Sequence, residues 1–277
     1  MVQEAAREIL IRTKRRIFSS NLGNNATAFV GNGLDFSELR EYHFGDDVRK
    51  INWKATAREQ RPYINLFTEE RELNIVLALM VGGGIAFGSA RIKQETMTEI
   101  MAMLGFSALK NGDNITPLLF SDHEELFRRP TKNSGVLHEI VPEALALEAL
   151  GKRVDYAAFC DYALHRIKRR SILFVIGDFL EEGIDLSSLS ARNEIYAVVV
   201  RDRFEESPRF EGTFDLIDPS DLETGSFTFD RRTQAAYEER IRTHDKRLAE
   251  HFLAHRISYT KIYTDEDPWY KLNNLVK

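Results

Sequence analysis

Two spacings of apolar residues alternate along the chain, one typical of buried strands and one typical of helices. Apolar runs of strand length occupy residues 73–81, 114–120, 172–176 and 194–200. The first of these, LNIVLALMV, is apolar enough to be buried on both faces of a sheet. Shorter strands are predicted at 61–68 and 258–263, with extended pieces after Pro208.

Between these runs, apolar residues recur every three or four positions, which predicts helices. The predicted helices cover residues 3–17, 46–59, 91–110, 134–147, 154–168, 232–255 and the chain from Pro268 onward. Residues 21–45 are rich in Gly and Asn and are predicted to form a loop. Because strands and helices alternate, the expected fold class is α/β, a three-layer Rossmann-like arrangement with a mostly parallel sheet and helices on both faces.

Charge and composition narrow the classes of function. The 38 basic and 43 acidic side chains give a net charge of −5, and both signs are spread along the chain, so nucleic acid is not an expected partner. A single cysteine, Cys160, excludes an intrachain disulfide and fits a reducing compartment. With no signal-peptide pattern and no apolar run of membrane-spanning length, the expected location is cytoplasmic, without membrane insertion. A basic cluster at residues 14–16 leaves membrane-surface binding as an alternative to a solvated helix end.

The ends of the buried strands are where an open α/β sheet binds ligands. The segment VGGGIAFG follows the strand at 73–81, but Phe87 stands where a dinucleotide motif needs its third glycine. Asp178 follows the strand at 172–176, and one carboxylate is a poor site for Mg²⁺, which needs several oxygen ligands. We therefore expect a tight turn at the glycines and no cofactor.

Other catalytic chemistry finds little support. His251 and His255 have a zinc-like spacing on a helix, but Phe252 replaces the glutamate of the protease motif and no third ligand is evident. No serine lies in a G-x-S-x-G motif, and Cys160 falls on the buried stripe of a helix. The sequence therefore favours a protein that is not an enzyme.

Residues 35–58 form the densest polar segment, DFSELREYHFGDDVRKINWKATAR. Its pattern resembles the hallmark of the bacterial "domain of unknown function 58" family, whose members are similar to divergent von Willebrand factor A domains. The matching positions are Arg40, Tyr42, Gly45, Asp46, Asp47, Arg49, Ile51, Trp53, Ala57 and Arg58. Asn52 departs from the hallmark, since an aspartate is usual there.

The resemblance implies a von Willebrand factor A-like domain at 69–277, preceded at 1–68 by a helix and a charged, family-specific segment packed on the core. It also implies where a metal-ion-dependent adhesion site would lie. Met80, Gly82 and Gly84 occupy the positions of its first motif and Val154 that of its threonine, so Asp178 alone is intact. The site is expected to be degenerate and to bind no metal.

By family analogy, the expected function is a non-enzymatic protein-interaction module, an adaptor or chaperone subunit for a MoxR-class AAA+ ATPase. One candidate surface, here called the rim, consists of Gly82, Gly84, Gly88, Asp178 and Glu181. The other is the charged segment, where Trp53 and Arg49 would suit an interface if exposed. Because the many opposite charges there can satisfy one another, we expect both to be buried.

A competing hypothesis from another class is a metal-dependent binding protein or hydrolase. It would recruit Mg²⁺ through Asp178, with help from Glu181, Glu182 and Asp122.

Overall fold

The computed structural model describes residues 2–19, 36–44, 46–67 and 72–275. The chain divides into a large unit, Met1–Phe29 with Asn74–Lys277, and a small unit, Val30–Leu73. In chain order the helices and strands are α1 (Val2–Ser19), β1 (Phe36–Glu41), α2 (Trp53–Glu59), β2 (Tyr63–Phe67), β3 (Asn74–Met80), α3 (Lys93–Lys110), β4 (Asn114–Phe120), β5 (Glu124–Phe127), α4 (Gly135–Ala146), α5 (Tyr156–Arg166), β6 (Ile172–Gly177), α6 (Ser187–Ser190), β7 (Glu194–Arg201), α7 (Arg203–Glu206), β8 (Gly212–Ile217), β9 (Thr224–Phe229), α8 (Arg231–Ala254), β10 (Ser258–Tyr263) and α9 (Pro268–Leu275).

The large unit is built on one sheet with the strand order β10-β7-β6-β3-β4-β5. Neighbouring strands are parallel except β4 and β5, which form an antiparallel edge. This is a doubly wound order, in which the winding reverses between β3 and β6. The expected α/β class, with a mostly parallel sheet covered by helices on both faces, is confirmed.

Strand β3 shows why the sheet must be covered on both sides. Val76, Ala78 and Met80 belong to a buried cluster with residues of α5, α6 and α8. Leu77 points the other way, towards α3 and α4, where its side chain approaches Gly105. Every residue of β3 after Asn74 is buried, as the continuous apolar run predicts.

Helix α1 belongs to the large unit. Its buried side chains lie on one stripe that packs against α3 and α4. They are Ala6, Ile9, Leu10, Thr13 and Ile17. The apolar stripe was recognised in the sequence, but its partner could not be, because α3 lies more than 70 residues away. Within the described residues, no helix has both the length and the apolar character needed to cross a bilayer.

Two local predictions are wrong, and one strand was missed. Part of the expected loop at 21–45 is β1, which pairs with β2 in the small unit. The expected helix at 46–59 is interrupted, with a short 3₁₀ turn at Val48–Lys50 before α2. Strand β5 was not predicted at all, whereas the extended pieces expected after Pro208 are present as the hairpin of β8 and β9. Each missed strand is short and is defined by its pairing partner more than by its own pattern.

The turn of the β8–β9 hairpin lies on the glycine-rich segment that follows β3. Gly151 N–H donates to Pro219 O at 2.8 Å. A Cβ added to Gly83 would lie only 1.7 Å from the same carbonyl oxygen. Only a residue without a side chain allows this backbone-to-backbone approach.

We expect Gly83→Ala to lower the free energy of unfolding by about 1–3 kcal/mol, because the hairpin turn has to move. Gly135→Ala is the matched control, since its Cβ would meet only the side chain of Asn133, at 3.1 Å. That variant should stay within about 0.5 kcal/mol of the wild type. Urea denaturation measures both, and equal stability of Gly83→Ala and the wild type would contradict the close approach.

Candidate functional site

The carboxyl ends of β3, β6 and β7 meet at one edge of the sheet, beside the reversal of strand order. The glycine-rich segment follows β3, Asp178 follows β6 and Asp202 follows β7. This is the crevice where doubly wound sheets bind their ligands. It is therefore the first place to look for a functional site.

A lysine ammonium lies in this crevice. Lys93, the first residue of α3, is fully buried. Its Nζ donates to Asp178 Oδ2 at 3.0 Å and to Glu205 Oε1, in α7, at 2.6 Å. One cation thus joins the segments that follow β6 and β7 to the start of α3.

The charges explain why this lysine stays ionised. Burial is the largest single effect and lowers the pKa of Lys93, but the negative charges of Asp178 and Glu205 together outweigh it and raise the pKa above its usual value. Burial also raises the pKa of the Glu205 carboxyl, although Lys93 opposes this. The Lys93 shift reflects its two carboxylate partners, whereas the Glu205 shift reflects chiefly its burial. Removing one member of such a cluster typically costs about 3–5 kcal/mol.

The rim residues are buried or half-buried at this edge of the sheet. Asp178 is only 5% exposed, and Gly82 is buried. A Cβ on Gly84 would lie 2.6 Å from Asp178 Oδ2, so this glycine leaves room for the carboxylate. Gly88 and Glu181 are half-buried at the same edge.

Two more charged side chains are buried at the end of β7. Arg201 donates to Phe179 O at 3.0 Å and to Asp245 Oδ1 at 3.1 Å. Asp202 accepts from the backbone N–H of Ser89 at 2.8 Å, which ties the glycine-rich segment to β7. The crevice is therefore fixed by charge-assisted hydrogen bonds from several elements.

Glu181 and Tyr156 each have one buried polar side-chain atom near this crevice. Glu181 Oε2 and Tyr156 Oη are buried and have no hydrogen-bond partner among the described residues. A cavity of about 480 Å³ lies beside them and is large enough for bridging water molecules. Burial, followed by the negative charge of Asp178, raises the pKa of Glu181 to about 7.

The side chains present do not fit the divalent cation that the resemblance implies. Gly82 and Gly84 carry no oxygen ligands, Val154 is apolar, and Asp178 Oδ2 accepts from Lys93. Across the part of the chain that the structure describes, no cluster of three or more His, Cys, Asp or Glu side chains could hold a metal ion. Mg²⁺ prefers six oxygen ligands, far more than this crevice offers.

The small unit holds the charged segment by local contacts. Arg40 Nη2 donates to both oxygens of Asp46, at 2.9 and 3.0 Å, and Arg49 N–H donates to Asp47 Oδ1 at 3.0 Å. Asn52 is the N-cap of α2, accepting from Ala55 N–H at 3.0 Å. Asparagine caps helices as well as aspartate does, so the departure from the hallmark keeps this contact.

The expected burial of Trp53 and Arg49 is wrong. Trp53 is 71% exposed, and Arg49 and Arg58 are also exposed, while Tyr42 is half-buried. The opposite charges pair within a few residues of one another, and α2 contributes no buried residue that could cover the indole ring. Gly45 lies outside the described residues.

A comparison with models of known protein families supports the family resemblance seen in the sequence. The family model described as "Protein of unknown function DUF58" matches residues 38–247, about three quarters of the chain. The chain belongs to the DUF58 family. The matched range includes most of the charged segment and the whole crevice from Lys93 to Glu205.

Named relatives are themselves uncharacterised. The chain is 26% identical over 209 residues to the uncharacterized protein Rv1480 of Mycobacterium tuberculosis and to Mb1516 of Mycobacterium bovis. Each alignment covers 72% of this chain and 64% of the relative, so the chain spans less than two thirds of the length of these curated relatives.

Two solved structures are similar at a low level. One is described as the conserved hypothetical protein BatB from Bacteroides thetaiotaomicron, with 10% identity, a TM-score of 0.46, and coverage of 74% of this chain and 97% of that one. The other is an aerotolerance-related membrane protein from Bacteroides fragilis, with 12% identity, a TM-score of 0.42, and coverage of 74% and 98%. TM-scores this low do not establish a shared fold.

Sequence reasoning about this DUF58 protein found Asp178 but missed Lys93 and Glu205, its ion-pair partners. One signal for Lys93 was available. A basic residue in the first turn of a helix is unfavourable with the helix dipole, so Lys93 at the start of α3 needed another reason to be there. His251, considered as a zinc ligand, instead accepts from Leu186 N–H at 3.1 Å.

The raised pKa of Glu181 predicts how stability depends on pH. Its value of about 7 in the folded state exceeds the ordinary 4.5, so the folded protein binds more protons between these values. The contribution to stability is complete below about pH 4.5 and is lost as the pH rises through about 7. The free energy of unfolding of the wild type should therefore fall between about pH 5 and pH 8. We expect the free energy of unfolding of Glu181→Gln to fall by about 1–3 kcal/mol less over that range, and the partial exposure of Glu181 favours the lower figure.

Urea denaturation across that pH range measures the effect. Glu182→Gln is the control, because Glu182 is exposed and pairs with Arg240, which lowers its pKa. If Glu181→Gln showed the same loss of stability with pH as the wild type, Glu181 would not be the titrating group.

Proposed function

We propose that this protein is a non-enzymatic protein-interaction module of the cytoplasm, working as an adaptor or chaperone subunit with a MoxR-class AAA+ ATPase and without a divalent cation. The ATPase is proposed by family analogy. The interaction role is supported by one observation in particular, an exposed aromatic surface beside the crevice.

This aromatic surface consists of Phe87, Phe204, Phe210, Phe214, Leu216, Phe227 and Phe229. The rings follow one another from the glycine-rich segment to the hairpin, with centroid distances of 6.1 Å from Phe87 to Phe204, 5.6 Å from Phe204 to Phe210 and 4.4 Å from Phe210 to Phe229. Phe214 lies directly opposite Phe227 in the β8–β9 pairing, so both are on the same face of the hairpin.

Most of this surface is accessible to a partner. Phe87, Phe204, Phe214, Leu216 and Phe227 are between 38% and 55% exposed. Contiguous exposed apolar groups on a soluble domain mark interaction sites, and aromatic side chains dominate the binding energy of interfaces. Because Phe87 belongs to the segment after β3, the surface extends the predicted rim onto groups that a partner can reach.

The charge around the hairpin indicates the chemistry of that partner. Residues 210–230 contain no Lys or Arg, and their acidic side chains are Glu211, Asp215, Asp218, Asp221, Glu223 and Asp230. A hairpin of net negative charge with an apolar face suits a partner segment with apolar side chains flanked by basic ones.

The alternative of a Mg²⁺-dependent binding protein or hydrolase has less support. Its central residue, Asp178, is already paired with Lys93. Glu182 pairs with Arg240, and the exposed Asp122 hydrogen-bonds His123 and Ser121. Because each carboxylate has a partner of its own, Asp178, Glu182 and Asp122 do not form one set of ligands for a cation.

We expect Phe227→Ser to lose at least about 90% of the ATPase that the wild type captures from the source cell, since removing a central aromatic anchor costs about 2 kcal/mol or more. Ile217→Ser is the matched control, because Ile217 is 62% exposed but lies on the opposite face of the hairpin. The captured ATPase is identified by mass spectrometry, with and without EDTA.

A third variant, Trp53→Ala, tests the charged segment as the other candidate surface. Loss of capture by Trp53→Ala alone would move the interface to the small unit. Capture abolished by EDTA, or no MoxR-class ATPase with any variant, would refute the proposed function. Changes at Asp178 or Gly84 are unsuitable here because they disturb the buried ion pair.

A further inference from the structure

Lys93 holds an unusual position for a lysine. Its side chain is fully buried, and it starts α3, where the positive end of the helix dipole repels a cation. The N-cap before it, Ile92, provides no side-chain hydrogen bond to the helix. Neither helix formation nor surface solubility explains a lysine at this place.

The groups around the Lys93 ammonium explain its position better. Nζ lies between Asp178 Oδ2 at 3.0 Å and Glu205 Oε1 at 2.6 Å. A Cβ on Gly84 would lie 3.7 Å from Nζ, so the segment after β3 also borders the ammonium. The ammonium therefore lies where the segments following β3, β6 and β7 converge, at the reversal of strand order.

We propose that the Lys93 ammonium permanently takes the place of a divalent cation in this crevice. It pairs with both Asp178 and Glu205 and holds the three segments together in the absence of any metal. This inference rests on the proposed function only in its consequence, which is that the surface beside the crevice is formed at every cation concentration.

The inference differs from the simple loss of a metal site. If the ion pair had only a structural role, replacing Lys93 would lower stability but would create no response to divalent cations. If the ammonium replaces a cation, removing it leaves two buried carboxylates without a counter-charge. A divalent cation should then be able to stabilise the variant, though not the wild type.

Thermal denaturation of the full chain distinguishes these cases. We expect Lys93→Met, which keeps the length of the side chain but not its charge, to lower the Tm in EDTA by about 10 °C. Millimolar Mn²⁺ or Mg²⁺ should raise the Tm of this variant by about 5 °C in a saturable manner. The Tm of the wild type should be the same in EDTA and in either cation.

Lys261→Met is the matched control. Lys261 also bridges two carboxylates, those of Asp245 and Glu206, but Arg201 lies beside the same two groups. This variant should lose stability without gaining a response to divalent cations, because a positive charge remains next to the carboxylates. A second control, Lys93→Met with Asp178→Asn and Glu205→Gln, should also show no cation response.

The outcomes decide the proposal. A wild-type Tm that rises with Mn²⁺ or Mg²⁺, or a Lys93→Met variant that responds to neither, overturns it. If Lys93→Met does not fold in EDTA, refolding from urea in millimolar Mn²⁺ becomes the measurement, and failure to recover folded protein also overturns it. None of these experiments involves the ATPase, so the capture experiment can fail independently.

Discussion

The parallel arrangement of β3, β6 and β7 brings their carboxyl ends to one edge of the sheet. The rest of the structure depends on how the buried charges at that edge are paired. Parallel strands buried on both faces leave no room for solvent beneath these ends. Asp178 and Glu205 are therefore held together in a poorly hydrated crevice, where unpaired carboxylates would be costly. The ammonium of Lys93 resolves this conflict from within the chain.

Several other features follow from that arrangement. Gly84 must lack a side chain because Asp178 Oδ2 takes the space its Cβ would fill. Burial of Glu181, followed by the negative charge of Asp178, raises its pKa to about 7. Asp202 and Arg201 hydrogen-bond backbone groups of the flanking segments and complete the fixed frame.

The sequence predicted local elements well and long-range contacts poorly. The bounds of β4 and β10 are as expected, and α3, β6 and β7 differ by a few residues at most. These elements have strong patterns of their own. Strands β1 and β5 were missed because they are short and their pairing partners define them, and Glu205 was missed because it meets Lys93 across 112 residues of chain. Trp53 was misjudged for a related reason: pairing among charges does not by itself cover a neighbouring ring.

In the proposed function, the aromatic surface and the buried ion pair divide two roles that a divalent cation combines in other sites. In a cation-controlled site, the ion both orders the loops and contacts the ligand. Here the first role falls to Lys93, which is too deeply buried to touch a partner. The second role must then pass to exposed groups nearby, and the ring series from Phe87 to Phe229 begins in one of the segments that the lysine orders. Ordering and contact are thus performed by different residues, so the exposed rings can be altered without removing the buried ion pair.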